Sequence, residues 1–213
     1  MTGTVGYGGK RAFDVVAASA LLVVTSPLLI ILAVWVGFTM GWPVLFKQRR
    51  PGLHGEVFDI VKFRTMREAF DADGYPLPDA QRLTRTGRFL RRTSLDELPE
   101  LINVLKGEMS LVGPRPLYEK YLGYYRTREG RRFDVRPGIT GLAQVRGRND
   151  LPWDERLELD VEYVENMSLK ADLGILARTI GVVLGATGVS VDPDQVEEDL
   201  DVERRRLGFG GTD

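Results

Sequence analysis

Residues 13–40 read FDVVAASALLVVTSPLLIILAVWVGFTM, and whether this stretch crosses a membrane or turns back within it decides the fold. No charged residue occurs from Val15 to Phe46, 32 positions in all, and an apolar run of that length marks a membrane segment rather than a core helix. It is too long for a signal peptide, and no small-residue cleavage site ends it. As one helix from Phe13 to Met40 it is about 42 Å long, enough to span a hydrocarbon core of about 30 Å. Ser26 and Pro27 fall at its midpoint, however. There the proline deletes a backbone hydrogen bond and its ring crowds the carbonyl of Val23, leaving halves of about 21 Å each. Lys10 and Arg11 precede the run, and Lys47, Arg49 and Arg50 follow it. Basic clusters favour the cytoplasmic side, so a helix that enters, bends and returns keeps both there, whereas a single crossing exports one. Tyr7, Trp35 and Trp42 suit an interface in either topology, so the residues alone leave both open.

The rest of the chain is ordinary in composition. Its net charge of −1 calls for no nucleic-acid partner, and any electrostatic function must come from local clustering. Without cysteine there is no disulfide, thiolate metal site or cysteine nucleophile. The only histidine, His54, sits in the turn-like RPGLHGEVF and reads as a solvated loop residue without a catalytic role.

Beyond the apolar run, Val44–Gln48 and Val57–Phe63 read as two strands of a hairpin, and residues 71–80 as a loop. Arg82, Arg85, Arg88 and Arg92 recur at spacings of three and four, so a helix there presents a basic face to anionic headgroups or phosphates. SLDELP, residues 94–99, places Asp96 beside Glu97 directly after these arginines. With Asp96 as N-cap, Pro99 is the third helical residue, where its missing N–H costs nothing. Leu98, Leu101, Ile102 and Leu105 then form a buried stripe ended by Gly107, and both carboxylates stay ionised at the positive helix terminus. The loops SLVGPRPL and RPGITGLAQVRGRN carry Arg115, Arg136, Arg146 and Arg148, a residue type suited to clamping phosphate oxygens. Neither loop has the glycine spacing of a P-loop or dinucleotide fingerprint, so a bound nucleotide is held by arginines, a metal or both. WDERLELDVEYVEN and LKADLGILARTIGVVLGA read as helices. The tail from Asp192, acidic and then basic, reads as a flexible terminus.

SPLLI, VKFRTM, SLDELPELINVLKGEMSLVGPRP, RPGITGLAQVRGRN and ELDVEYVENMSL, in this order, resemble the bacterial monotopic phosphoglycosyl transferases over about residues 10–188. The resemblance implies an α+β, mostly helical membrane protein of minimal catalytic form: a re-entrant helix in residues 1–43 broken at Ser26-Pro27, a catalytic domain in 44–190 with a short β-hairpin and amphipathic interfacial helices, and a tail in 191–213. It implies transfer of sugar-1-phosphate from a nucleotide-sugar, in this family usually a UDP-sugar, to undecaprenyl phosphate at the cytoplasmic face of the bacterial inner membrane, with release of UMP and Mg²⁺ as cofactor. Asp96 is then the nucleophile and metal ligand and Glu97 its catalytic partner. Lys62, Arg91, Arg115 and Arg148 contact phosphate, and Arg64, Arg136 and Asp160 are further active-site candidates. An ionised carboxylate needs no general base, and an aspartyl phosphate, being an anhydride, retains the energy for a new diphosphate link. The rival readings are a single-span, non-enzymatic protein that binds anionic lipid or a partner, and a transferase in which the lipid phosphate attacks directly.

Overall fold

A computed structural model describes residues 6–147, 151–185 and 198–209. Helix α1, Lys10–Met40, runs unbroken through Pro27, so the expected break does not divide it. The reason is local. Pro27 leaves the Val23 carbonyl without its helical donor, and the Ser26 hydroxyl supplies one at 2.8 Å, while Thr25 Oγ1 donates to the Leu21 carbonyl at 2.7 Å. The helix is long and apolar enough to cross a membrane, and no residue between Ala18 and Leu32 is buried.

Both ends of α1 are fastened to the polar part of the chain. At the start, Lys10 Nζ lies 2.7 Å from Asp172 Oδ2 and donates to the Val112 carbonyl at 3.2 Å. Buried Asp172 also accepts from the Tyr7 and Tyr163 hydroxyls, each at 2.8 Å, and Arg11 donates to the carbonyls of Val104 and Leu105. Ala18 packs in a core with Ile60, Leu101, Val104, Met109 and Tyr163. At the far end, Leu32 and Val36 pack with Val44, Phe63 and Leu90, and Arg64 Nη1 donates to the Met40 carbonyl at 3.4 Å.

The expected hairpin is present, with β1 at Leu45–Pro51, starting one residue later and ending three residues later than its pattern suggested. It pairs antiparallel with β2 Val57–Phe63, Lys47 opposite Val61. The expected basic helix is split. α2 is Asp79–Arg82, and Thr84 accepts from the Gly87 N–H at 2.9 Å to start α3, Arg85–Arg92. Arg85, Arg88 and Arg92 remain exposed on α3, but Arg82 belongs to the other helix.

Helix α4, Leu101–Lys106, ends at Gly107 as expected, but its buried face is Leu101, Asn103 and Val104, not the predicted leucine stripe. Ile102 and Leu105 are exposed, because the amide of Asn103 is drawn inward to the Asp59 carbonyl at 2.7 Å and the Val61 N–H at 3.1 Å, which locks α4 onto β2. Two stretches read as loops form a parallel pair, β3 Ser110–Val112 and β4 Gly138–Thr140. Their glycines are needed for close approach: a Cβ on Gly138 overlaps the Gly113 backbone, and one on Gly113 comes within 2.5 Å of the Arg136 carbonyl oxygen. After α5, Leu142–Arg146, come the two expected helices, α6 Trp153–Glu165 and α7 Leu169–Gly185.

The tail was expected from its composition to be a flexible terminus, but residues 198–209 are ordered against the rest of the chain. α8, Leu200–Arg206, docks by burying Leu200 with Tyr121, Trp153 and Leu157 and by pairing buried Arg204 with Glu129 at 2.7 Å and Asp154 at 2.8 Å. The charged residues that suggested a solvated tail are the ones that anchor it.

Candidate active site

The acidic pair lies in a 3-10 turn, Leu95–Glu100, that follows Ser94 in left-handed conformation at φ 54°. This corrects the predicted start of the helix: the turn begins before Asp96, and neither Ser94 nor Asp96 caps it with its side chain. The carboxylates face cations instead. Glu97 Oε1 accepts from Lys62 Nζ at 2.8 Å and Arg115 Nη2 at 2.6 Å. Lys62 comes from β2, Arg115 from the proline-flanked loop after β3, and the dyad from the turn that packs on β2.

Glu100, which the sequence reading passed over, completes the cluster: it is buried, with Oε1 3.0 Å from Lys62 Nζ but off the hydrogen-bonding direction. Its signal in the sequence was its position three residues after Glu97 on a helical turn.

The electrostatics separate these three acids. Burial opposes ionisation of Glu97, but the positive charges of Arg115 and Lys62 outweigh it and hold its carboxyl well below the usual range. Burial, reinforced by the negative charge of Glu97, pushes the Glu100 carboxyl up to about 7 despite Lys62 and Arg115. Asp96 also departs from the expectation of two freely ionised carboxylates. Burial, then the charge of Glu97, raises its pKa, against the pull of Lys62, Arg91 and Arg115. Asp96 is 8 % exposed, yet among the described residues no donor bonds its carboxylate.

The remaining candidates divide. Arg91 Nε donates to Thr65 Oγ1 at 3.1 Å, and the charge of Arg91 reaches Asp96. Arg64 turns away to the end of α1, and Arg136 Nε donates to the Gly107 carbonyl at 2.7 Å, closing the end of α4, so neither is brought to the dyad. Asp160 is not brought there either. It forms a buried ion pair with Arg132 at 2.9 Å, and Arg132 Nη2 donates to the backbone carbonyl of Arg115 at 2.6 Å. Asp160 thus braces the loop that carries Arg115. Arg148 lies outside the described residues.

The model of the bacterial sugar transferase family matches residues 6–186. The chain is 52% identical over 180 residues to the uncharacterized sugar transferase EpsL of Bacillus subtilis, covering 84% of this chain and 89% of that protein. It is 45% identical over 189 residues to the UDP-glucose:undecaprenyl-phosphate glucose-1-phosphate transferase of Caulobacter vibrioides, covering 82% and 69%. To the undecaprenyl-phosphate galactose phosphotransferase of Salmonella typhimurium it is 41% identical over 198 residues, 84% of this chain but 41% of that longer one.

Proposed function

This chain belongs to the bacterial sugar transferase family and is a phosphoglycosyl transferase, and from that premise we propose that it moves sugar-1-phosphate from a UDP-sugar to undecaprenyl phosphate through a covalent intermediate on Asp96. The observation that carries this reading is the asymmetry of the dyad: Glu97 is gripped by two cations, while the carboxylate of Asp96 has no bonding partner among the described residues. A carboxylate committed to a salt bridge is a poor nucleophile. One that is desolvated and unpartnered is poised to react.

In the first step, an Asp96 oxygen attacks the sugar-bearing phosphorus, and the bond from that phosphorus to the bridging oxygen breaks with its electron pair leaving on UMP. In the second, a phosphate oxygen of undecaprenyl phosphate attacks the same phosphorus, and the Asp96 carboxylate departs. Each step brings anions together, so the protein's main contribution is positioning and charge stabilisation. Lys62 and Arg115 keep the charge of Glu97 from adding fully to that repulsion, and Arg91 directs its positive charge at the reacting carboxylate.

Magnesium fits this donor set. Among the described residues there is no cluster of three acidic or histidine ligands, but Mg²⁺ is commonly held by one or two carboxylates plus substrate phosphates. Asp96, the free carboxylate, would hold it with the donor's diphosphate. The ion would supply charge neutralisation on the transferring phosphoryl group.

The active site lies at the cytoplasmic face of the inner membrane, with α1 as a re-entrant anchor. Support comes from the attachment of both helix ends to one body. A straight helix of these 31 residues is about 46 Å long. Ala18 shares a core with Ile60 and Leu32 shares one with Phe63: the α1 residues are about 21 Å apart along a straight helix, their β2 counterparts about 10 Å along the strand. A crossing helix would have to tear one end free. The docked ends and free apolar middle suit entry and return on one side.

Two experiments test the proposal. Incubation with UDP-sugars in the absence of lipid acceptor, followed by mass spectrometry, should find a phosphosugar on Asp96. UMP release only when undecaprenyl phosphate is present, with no adduct, would instead mean that the lipid attacks directly. For topology, single cysteines at Gly8 and Lys47 should both be protected from an impermeant reagent added outside spheroplasts. Labelling of one alone would establish a crossing.

A further inference from the structure

Arg50, at the end of β1, was read only as part of a basic flank of the membrane segment. Its guanidinium carbon lies 3.8 Å from the centroid of the Tyr118 ring, and its Nη2 donates to Gln48 Oε1 at 2.6 Å. Among the described residues its buried Nε has no hydrogen-bond partner, and no carboxylate comes within ion-pair distance. The two fully buried arginines are matched with acids, Arg132 with Asp160 and Arg204 with Glu129, and half-exposed Arg115 is matched with Glu97. Burial weakens the hold of Arg50 on its proton despite the opposing pull of Tyr118, and the positive charge of Arg115 adds to the weakening. A partly desolvated cation near a second cation, with its buried Nε unused, is costly unless an anion joins it.

We propose that Arg50, stacked on Tyr118, forms the subsite for the phosphate of the leaving nucleoside monophosphate. This rests on the function proposed above and assigns the donor's second phosphate to a specific place. Arg115 bonds Glu97, next to the nucleophile, and Pro51, the neighbour of Arg50, lines one small cavity together with Arg115, which places Arg50 on the Arg115 side of the dyad. Transfer of the sugar-bearing phosphorus builds negative charge on the adjacent nucleotide phosphate, and a preorganised guanidinium meets it without reorganising. The preorganisation is visible in the support of Tyr118. Tyr121 meets that ring edge-on at 5.5 Å, and the Tyr121 hydroxyl donates to Asp199, next to α8, at 2.7 Å.

The test uses the full chain in detergent or nanodiscs, with Arg50→Gln and the charge-preserving Arg50→Lys. Binding of UMP is measured by calorimetry, and KM is measured for UDP-glucose or UDP-galactose, whichever donor the wild type uses, and for undecaprenyl phosphate. Arg50→Gln should weaken UMP binding and raise donor KM by about tenfold or more, leaving acceptor KM and Tm unchanged, with Arg50→Lys between it and the wild type. Unchanged UMP affinity in Arg50→Gln overturns the proposal, and so does a rise confined to acceptor KM, which would assign Arg50 to the lipid phosphate. Should either variant unfold, the other decides by the same criteria. A wild type that neither binds UMP nor releases it from any UDP-sugar would sink the underlying function, a result distinct from a wild type that does both and an Arg50→Gln variant that matches it.

Discussion

Two acid–cation clusters, one buried and one partly open to solvent, meet at Arg115, and they are built on opposite rules. Around Arg132 the charges are closed: Asp160 lies 2.9 Å away, and the guanidinium also bonds the Tyr125 hydroxyl and the Arg115 carbonyl. Around the dyad they are open. Glu97 is doubly bonded, Glu100 is pushed toward the neutral form, and Asp96 has no bonding partner among the described residues. A closed cluster holds a backbone in place, whereas an open one holds free energy in reserve for a ligand. Arg115 joins them, its carbonyl fixed by the closed cluster and its guanidinium committed to the open one.

That contrast is most exposed to failure at Asp96. Asp96→Asn should reduce turnover by at least about a thousandfold while leaving Tm equal or raised, since it removes a buried charge that no donor among the described residues bonds. A variant retaining a tenth of wild-type rate would show that Asp96 does not attack.

The closed cluster should answer in stability. Asp160→Asn breaks a buried pair and should cost about 3–5 kcal/mol in chemical denaturation, with kcat/KM falling only through displacement of the Arg115 loop. An Asp160 variant of normal stability but no activity would move Asp160 into the open cluster and blur the distinction.

Arg115→Lys keeps the charge but loses the planar fork. A fall of about tenfold in kcat/KM with unchanged Tm is expected, because the closed cluster grips only the backbone there. Wild-type kinetics would mean that charge alone suffices.

The smallest effect should come from Arg136→Ala, which deletes the hydrogen bond to the Gly107 carbonyl. About 1 kcal/mol of stability should be lost with kinetics intact. Loss of activity without loss of stability would return Arg136 to the site from which its geometry excludes it.

How far the sequence reached varies with the range of the interaction. Asp96 and Glu97 were identifiable because adjacent acids after a run of arginines are locally anomalous, and Lys62 and Arg115 because they fall in recognisable motifs. Arg64, Arg136 and Asp160 belong to equally recognisable stretches, yet motif membership does not reveal which way a side chain turns. Arg64 turns to the Met40 carbonyl, Arg136 to Gly107, and Asp160 to Arg132. The β3–β4 pair was hidden because each strand has three residues, too few for any period, and because their contact depends on glycines meeting across the fold.

By itself, the sequence determined what short-range physics controls: an apolar helix between basic flanks, a hairpin set by strand alternation around a Pro-Gly turn, and a carboxylate pair placed among cations. Tertiary structure alone decided which member of that pair is left unbonded among the described residues. Lys62 and Arg115, 35 and 18 residues from Glu97, reach its carboxylate and not that of Asp96. The choice depends on how β2, the 3-10 turn and the loop after β3 pack together. The difference between a counter-ion and a nucleophile is therefore set by packing, because two neighbouring acids differ in chemistry only after their surroundings do.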